Sequence, residues 1–226
     1  MWMMTQTWHD VLFLHWPISP QELQKYIPNE LQLDLFEENA WLSAVLFKVH
    51  RHRLRFLPPI PGMNSYLQLN VRTYVEYNGR KGVYFFHLDV TNYILSKVTA
   101  IGSLPYRYSQ LVGKQTDHHF SYTSHYKACD ERLKVTFTLG DHTATNFDHW
   151  IVERYHSWSK YNNKLLRIDI HHSPWELQRA RVTIQSNSLA SFMKKTFQHM
   201  EPIAHYAKNK VARVFPPVME HKSLRN

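Results

Sequence analysis

Cysteine is almost absent. Cys129 is the single one in 226 residues, so no internal disulfide and no cysteine-built zinc site can form. That usage suits a reducing cytosol, and a cytoplasmic protein is the expectation. Glycine is scarce at six residues. There is no GxGxxG and no Walker loop, so no nucleotide cofactor is indicated. HExxH and GxSxG are missing as well, which removes the common zinc-hydrolase and serine-hydrolase signatures. No long hydrophobic run occurs: Val11 to Leu14 is apolar, but His15 stops it far short of a membrane span. The opening segment MWMMTQTWHD has no basic region ahead of an apolar one, so the chain is expected to be soluble and not exported.

Aromatic and apolar mass is plentiful. Hydrophobic residues make up 43% and aromatics 14%, with seven Trp, enough to fill thick β layers in one domain spanning residues 1–226. The formal charge is +9 with 16 His. Such a balance suits nucleic acid or anionic ligands. The basic residues recur in small groups rather than one run, which is the pattern of a scattered basic surface.

Along the chain, Ser19-Pro20-Gln21-Glu22 reads as a helix start with a capping box, and the helix should end near Pro28. Trp41 to Val49, continued by His50 to Arg55, reads as a strand. Leu57 to Gly62 carries three prolines and must be a loop. Tyr66 to Tyr77 and Val83 to Val90 form a hairpin across Asn78-Gly79. Asn92 to Ser103 has helical spacing. Tyr108 to Leu111, Phe120 to Tyr126 and Leu133 to Leu139 are strands. Thr145 or Asn146 should cap a helix over Phe147 to Trp158. Leu165 to His172 and Ala180 to Gln185 look like an antiparallel pair, and Val211 to Phe215 is a last strand. Strands therefore dominate with two or three packed helices, an α+β fold of mostly antiparallel β.

His171-His172, His118-His119 and His87-x-Asp89 invite a metal reading. Neighbours on a strand point to opposite faces, so adjacent His rarely share one ion, and no metal is expected. His87 and Asp89 would share a face, an arrangement used in acid–base sites. Cys129 lies beside Asp130, which disfavours a reactive thiolate. Arg72 sits in a β-prone segment and Arg107 follows Leu104-Pro105-Tyr106. An arginine in apolar surroundings must find a partner. That partner is either a carboxylate such as Asp89 or Glu153, or an anionic ligand. Tyr, Trp and His around Trp8, His15, Tyr155, His171 and Trp175 could line an apolar pocket with polar tips.

Several blocks in order carry a family resemblance. They are Thr7-Trp8-His9-Asp10, His15-Trp16-Pro17, Leu69 to Val75, Gly82 to Phe86 with Leu88-Asp89, Leu104-Pro105-Tyr106, Glu153-Arg154-Tyr155 and His171 to Trp175. Together they resemble the YqjF-like family, a conserved bacterial group without an established activity, across nearly the whole chain. That family in turn resembles acetoacetate decarboxylase in fold, which implies a curved, barrel-like sheet. The decarboxylase pattern runs Tyr-Leu-Glu strand, Gly hairpin, helix, Gly-x-Pro-Lys-Lys. Here Tyr66-Leu67-Gln68, Asn78-Gly79, the Asn92 helix and Gly102 to Arg107 follow in the same order. The first Lys of that pair forms a Schiff base and the second lowers its pKa. Tyr106 and Arg107 stand in their places, and Gln68 stands for the Glu. Neither Tyr nor Arg can form a Schiff base.

The resemblance thus implies a pocket without the decarboxylase reaction. The expected ligand-binding set is Gln68, Arg72, Asp89, Tyr106, Arg107, His171 and Trp175 around one concavity, with Asp89 as partner to Arg72. Binding of a small anionic or carbonyl molecule is the first reading. An enzyme of unassigned reaction, with Tyr106 and His or Asp groups moving protons, is the second, and a basic nucleic-acid-binding module is the third.

Overall fold

The computed structural model describes residues 1–58, 62–100, 104–117, 119–161 and 164–220. The prolines at 59 and 61, the helix end expected at 101–103 and His118 lie outside the described residues. Strand β1 is Met4–Ile18, followed by a short helix α1 (Pro20–Leu23) and a 3-10 turn to Tyr26. Then come β2 (Gln32–Leu33), β3 (Ala40–Leu54), β4 (Ser65–Tyr77), β5 (Arg80–Val90) and helix α2 (Tyr93–Ala100). β6 (Tyr106–Tyr108), β7 (Gln110–Thr116), β8 (His119–Tyr126) and β9 (Glu131–Thr143) precede helix α3 (Asn146–Val152). The chain finishes with β10 (His156–Tyr161), β11 (Lys164–His171), β12 (Leu177–Asn187), β13 (Ile203–Val214) and β14 (Val218–Glu220).

One ring organises these strands. β1, β3, β4, β5, β10 and β11 lie side by side, β13 pairs with β1, and the β11–β13 pairing closes the circuit. Pairing is antiparallel except where β10 and β6 meet β5. Beyond β13, strands β12, β9, β8 and β7 continue as a second layer folded over the outside of the ring. The mostly antiparallel, curved architecture expected from the sequence is therefore the one observed.

The ring explains the continuous apolar runs. Val11 and Phe13 face its interior, while Leu12 and Leu14 pack outward against Phe120, Leu133, Val135 and Phe137 of the second layer. β1 and β3 are thus buried on both faces, and alternation disappears from their sequence. The Asn78-Gly79 turn has both residues at positive φ (50° and 74°), the type I′ geometry whose twist matches the hairpin. Thr145 caps α3 in a full capping box with Asp148.

Some local expectations fail for identifiable reasons. Helix α3 ends at Val152, not near Trp158. Glu153 leaves helical geometry and its carboxylate accepts from the Trp175 backbone N–H and the Tyr155 hydroxyl. Trp158, fully buried, belongs to β10. Ser19 makes no capping bond: its hydroxyl donates to Gln21, and Glu22 accepts from the Lys194 backbone. β11 and β12 do not pair with each other; β12 pairs with β9 and β13. The strand placed at Tyr108 to Leu111 is split at Ser109 into the ends of β6 and β7.

Gly82 lies at a close approach of β5 to β10. A Cβ there would overlap the His156 carbonyl and the Trp158 ring. Gly82→Ala is therefore expected to push these strands apart and lower stability by about 1–3 kcal/mol, the usual range for overpacking. Urea unfolding should show a lower midpoint, and an unchanged midpoint would contradict the close approach.

Candidate functional site

The ring encloses a cavity of about 370 Å³, within the size range of small-molecule sites. Strand alternation decides what enters it. On β4, Gln68, Asn70 and Arg72 point inward, while Leu69 and Val71 point to the outer core. β6 runs parallel to β5 with Tyr106 opposite Leu88, so both face the cavity. Trp175 forms a wall, stacked on Trp8 at 6.0 Å and edge-on to Phe13 at 5.1 Å.

The lining carries a one-sided charge. Arg72 and Arg154 are among its residues, and no Asp, Glu or Lys is. Arg154 donates to Asp34 and lies over the Trp150 ring at 4.5 Å, but its Nε and Nη2 have no partner. Burial lowers the Arg154 pKa; Asp34 opposes this and Arg72 adds to it. The buried Nε of Arg72 is unpartnered, and no carboxylate of the described residues forms a salt bridge with it. Glu153, one expected partner, is occupied by Tyr155 and Trp175.

Neutral groups complete the polar surface. Gln68 donates to Asn70 Oδ1 at 2.7 Å, leaving its own buried Oε1 without a donor. Burial pushes the Tyr106 phenol up to about 12, so it stays protonated at neutral pH. His172 is lowered by burial, and its Nδ1 lies 2.8 Å from the Ser173 carbonyl, which therefore accepts the Nδ1 proton.

The expected set thus divides. Gln68, Arg72, Tyr106 and Trp175 line the cavity; Asp89, Arg107 and His171 do not. A β-bulge is the reason for Asp89: the register shifts between the pairs Val71↔His87 and Arg72↔Phe85, so Phe86 is the extra residue. Beyond it, Asp89 stands opposite Leu69 and faces the outer core. Arg107 follows Tyr106 on one strand and so points the opposite way. It meets Asp89 there, with Nε to Oδ1 at 2.7 Å and Nη2 to Oδ2 at 3.0 Å. Glu131 takes its Nη1 at 2.8 Å, and the guanidinium lies over Tyr126 at 3.9 Å. His87 Nδ1 is 3.1 Å from Asp89, as their shared face required. The partner of Asp89 is thus Arg107, not Arg72. His171 is exposed, and its neighbour His172 takes the inward position.

Asn70, Arg154 and His172 are among the polar cavity residues outside the expected set, with Gln6, His156 and Ser157. Asn70 was available from alternation, since it lies between Gln68 and Arg72 on their face. Among the described residues, no group of three or more His, Cys, Asp or Glu could hold a metal ion, and no helix is long and apolar enough to cross a membrane.

A closed, mostly antiparallel ring around a central cavity is the fold of the acetoacetate-decarboxylase-like proteins. An acetoacetate decarboxylase-like enzyme from Sphingomonas wittichii RW1 matches with a TM-score of 0.72 at 10% identity, over 97% of this chain and 93% of that one. The enduracididine biosynthesis enzyme MppR, complexed with pyruvate, matches with a TM-score of 0.68 at 10% identity, over 97% and 91%. At such identities the likeness is one of fold. The chain itself belongs to the DUF2071 family of uncharacterised conserved proteins, which matches residues 5–210. The uncharacterised protein YqjF of Bacillus subtilis (strain 168) is 35% identical over 95% of this chain and 91% of that protein.

Proposed function

We propose that the ring cavity binds a small organic carboxylate, with Arg72 as its anion clamp. The observation carrying this reading is an unpaired guanidinium in a cavity whose lining has no acid. A half-buried cation without a counter-charge carries a desolvation cost, and a carboxylate relieves that cost while using the planar N–H edge. Arg154 lies near enough to add repulsion in the empty site and attraction in the filled one. In this reading Gln68, Asn70, Tyr106 and Trp175 orient the ligand. Asp89 and Arg107 form a structural ion pair, and His171 takes no part. The pyruvate complex of a fold neighbour is consistent with such a ligand class.

A second reading, acid–base catalysis in the same cavity, draws on one feature. A neutral His172 with its Nδ1 proton committed to Ser173 keeps Nε2 as a base in the cavity that a protonated Tyr106 also lines. The basic charge alone supports a nucleic-acid module.

Arg72→Met is expected to abolish carboxylate binding, measured calorimetrically with a pyruvate and acetoacetate panel. It should leave the melting temperature unchanged or raised, because it removes an uncompensated charge. A variant that binds as the parent does, or one that only melts earlier, would place Arg72 in a structural role.

A further inference from the structure

The cavity has two unlike ends. Arg72 lies in the cross-strand row His15–Ser43–Arg72, far along β1 from Met4. That end is closed by α3, whose Trp150 packs on Tyr74 at 5.2 Å and whose Phe147 packs on Trp41 at 4.5 Å. Arg154 emerges just after α3 and joins Arg72 there. At the other end the lining residues Met3 and Pro217 are exposed, which marks the opening. Between them the wall is largely apolar, with Val45, Phe47, Phe85, Leu88, Ile168 and Ile170.

The opening is also apolar outside. The Arg55 backbone N–H donates to the Met3 carbonyl at 2.8 Å, which holds the Phe56-Leu57 turn beside the mouth. Phe56 is 86% exposed and Met1 85%. The Arg55 guanidinium sits between the Trp2 and Phe56 rings, 4.6 and 4.7 Å from their centroids. A small polar metabolite held at the arginine end would gain nothing from this apolar wall or collar.

We infer that the carboxylate has an unbranched apolar chain. Its head lies between Arg72 and Arg154 at the closed end, and its tail runs along the apolar wall toward Met3 and Pro217. This rests on the carboxylate reading above and adds a ligand class to it, a fatty-acid-like amphiphile. Each methylene moved from water to the wall contributes a fixed increment of transfer free energy. Affinity should therefore climb with chain length until the tail reaches the mouth.

The test is calorimetric titration of the full chain with acetate, pyruvate, hexanoate, octanoate and decanoate, all below micelle formation, and with decanol. Affinity is expected to rise about three- to fourfold per added methylene at one ligand per chain. Decanol is expected to bind at least about tenfold more weakly than decanoate, and Arg72→Met should remove that difference. Binding of pyruvate or acetate with no gain on lengthening overturns the amphiphile and leaves the carboxylate site standing. Equal binding of decanol and decanoate overturns the head-group assignment. Several chains per protein, insensitive to Arg72→Met, assign the uptake to the surface and overturn the inference. No binding of any acid overturns both this inference and the reading it rests on.

Discussion

Asp89→Ala is expected to lower stability by about 3–5 kcal/mol, the cost of breaking a buried ion pair by removing one partner. Asp89 is fully buried and holds Arg107 through two hydrogen bonds, and His87 Nδ1 lies 3.1 Å from Asp89 and 2.9 Å from Arg107 Nη2. Without it, Arg107 keeps Glu131 and the Tyr126 face, so the lower part of that range applies. Asp89→Leu combined with Arg107→Met should recover much of the loss, because it removes both charges from an apolar layer. Urea unfolding of Asp89→Leu, Arg107→Met and the pair gives the coupling. Additive losses would mean that the two residues do not act together.

The same carboxylates set an acid limit. Burial alone raises the Asp89 carboxyl, but hydrogen bonds and charge from His87 and Arg107 outweigh it and hold the group below its ordinary value. Glu131 is held low likewise, burial being outweighed by the Ser191 backbone N–H and by His87 and Arg107. A group whose folded pKa is depressed stabilises fully above its unfolded pKa, about 4 for a carboxylate, and loses that contribution as pH falls through the folded value. Stability should therefore decline below about pH 4, and the decline should be shallower in Asp89→Ala.

Much of the architecture was legible from local patterns, and the site less so, for reasons of register. The Asn78-Gly79 turn pairs Tyr77 with Arg80, and regular counting from there sets Gln68 opposite Asp89 on one face. The extra residue at Phe86 reverses this for every position beyond it. Nothing in Tyr84-Phe85-Phe86-His87 announces a bulge, since it depends on how the partner strand packs. The separation of Tyr106 from Arg107 was legible, because consecutive strand residues always diverge; so was that of His171 from His172. Ring closure through β11 and β13 joins segments distant in sequence, and no local pattern encodes it. The spacing Phe147, Trp150, Ile151, Tyr155 looked helical beyond Val152. The chain leaves the helix there because Glu153, Arg154 and Trp158 each have tertiary partners.

The parent protein is expected to form no Schiff base with acetoacetate, whereas Tyr106→Lys should form one. No lysine is among the residues lining the cavity. Lys210 lies behind Trp175, with its ammonium donated to the Pro174 carbonyl at 2.7 Å and to the Ser173 hydroxyl at 3.2 Å. The family resemblance read from the sequence implies the nucleophile's place for Tyr106, and a phenol raised to about 12 is neither an amine nor an anion at neutral pH. The site nevertheless retains what such an amine needs. Its walls are largely apolar, so they disfavour an ammonium. That burial lowers a lysine from its ordinary value of about 10.4, toward the range where the free amine attacks a carbonyl. Borohydride reduction in the presence of acetoacetate, followed by mass spectrometry, should give no stoichiometric adduct in the parent and one adduct at position 106 in the variant. A single adducted lysine in the parent, with carbon dioxide released, would show that the nucleophile lies elsewhere in the chain. A folded Tyr106→Lys protein that traps nothing would show that position 106 does not face the cavity or that its amine stays protonated. Its pH profile separates these cases, because a protonated amine begins to trap once the pH passes its pKa and an outward-facing one gains no cavity adduct at any pH.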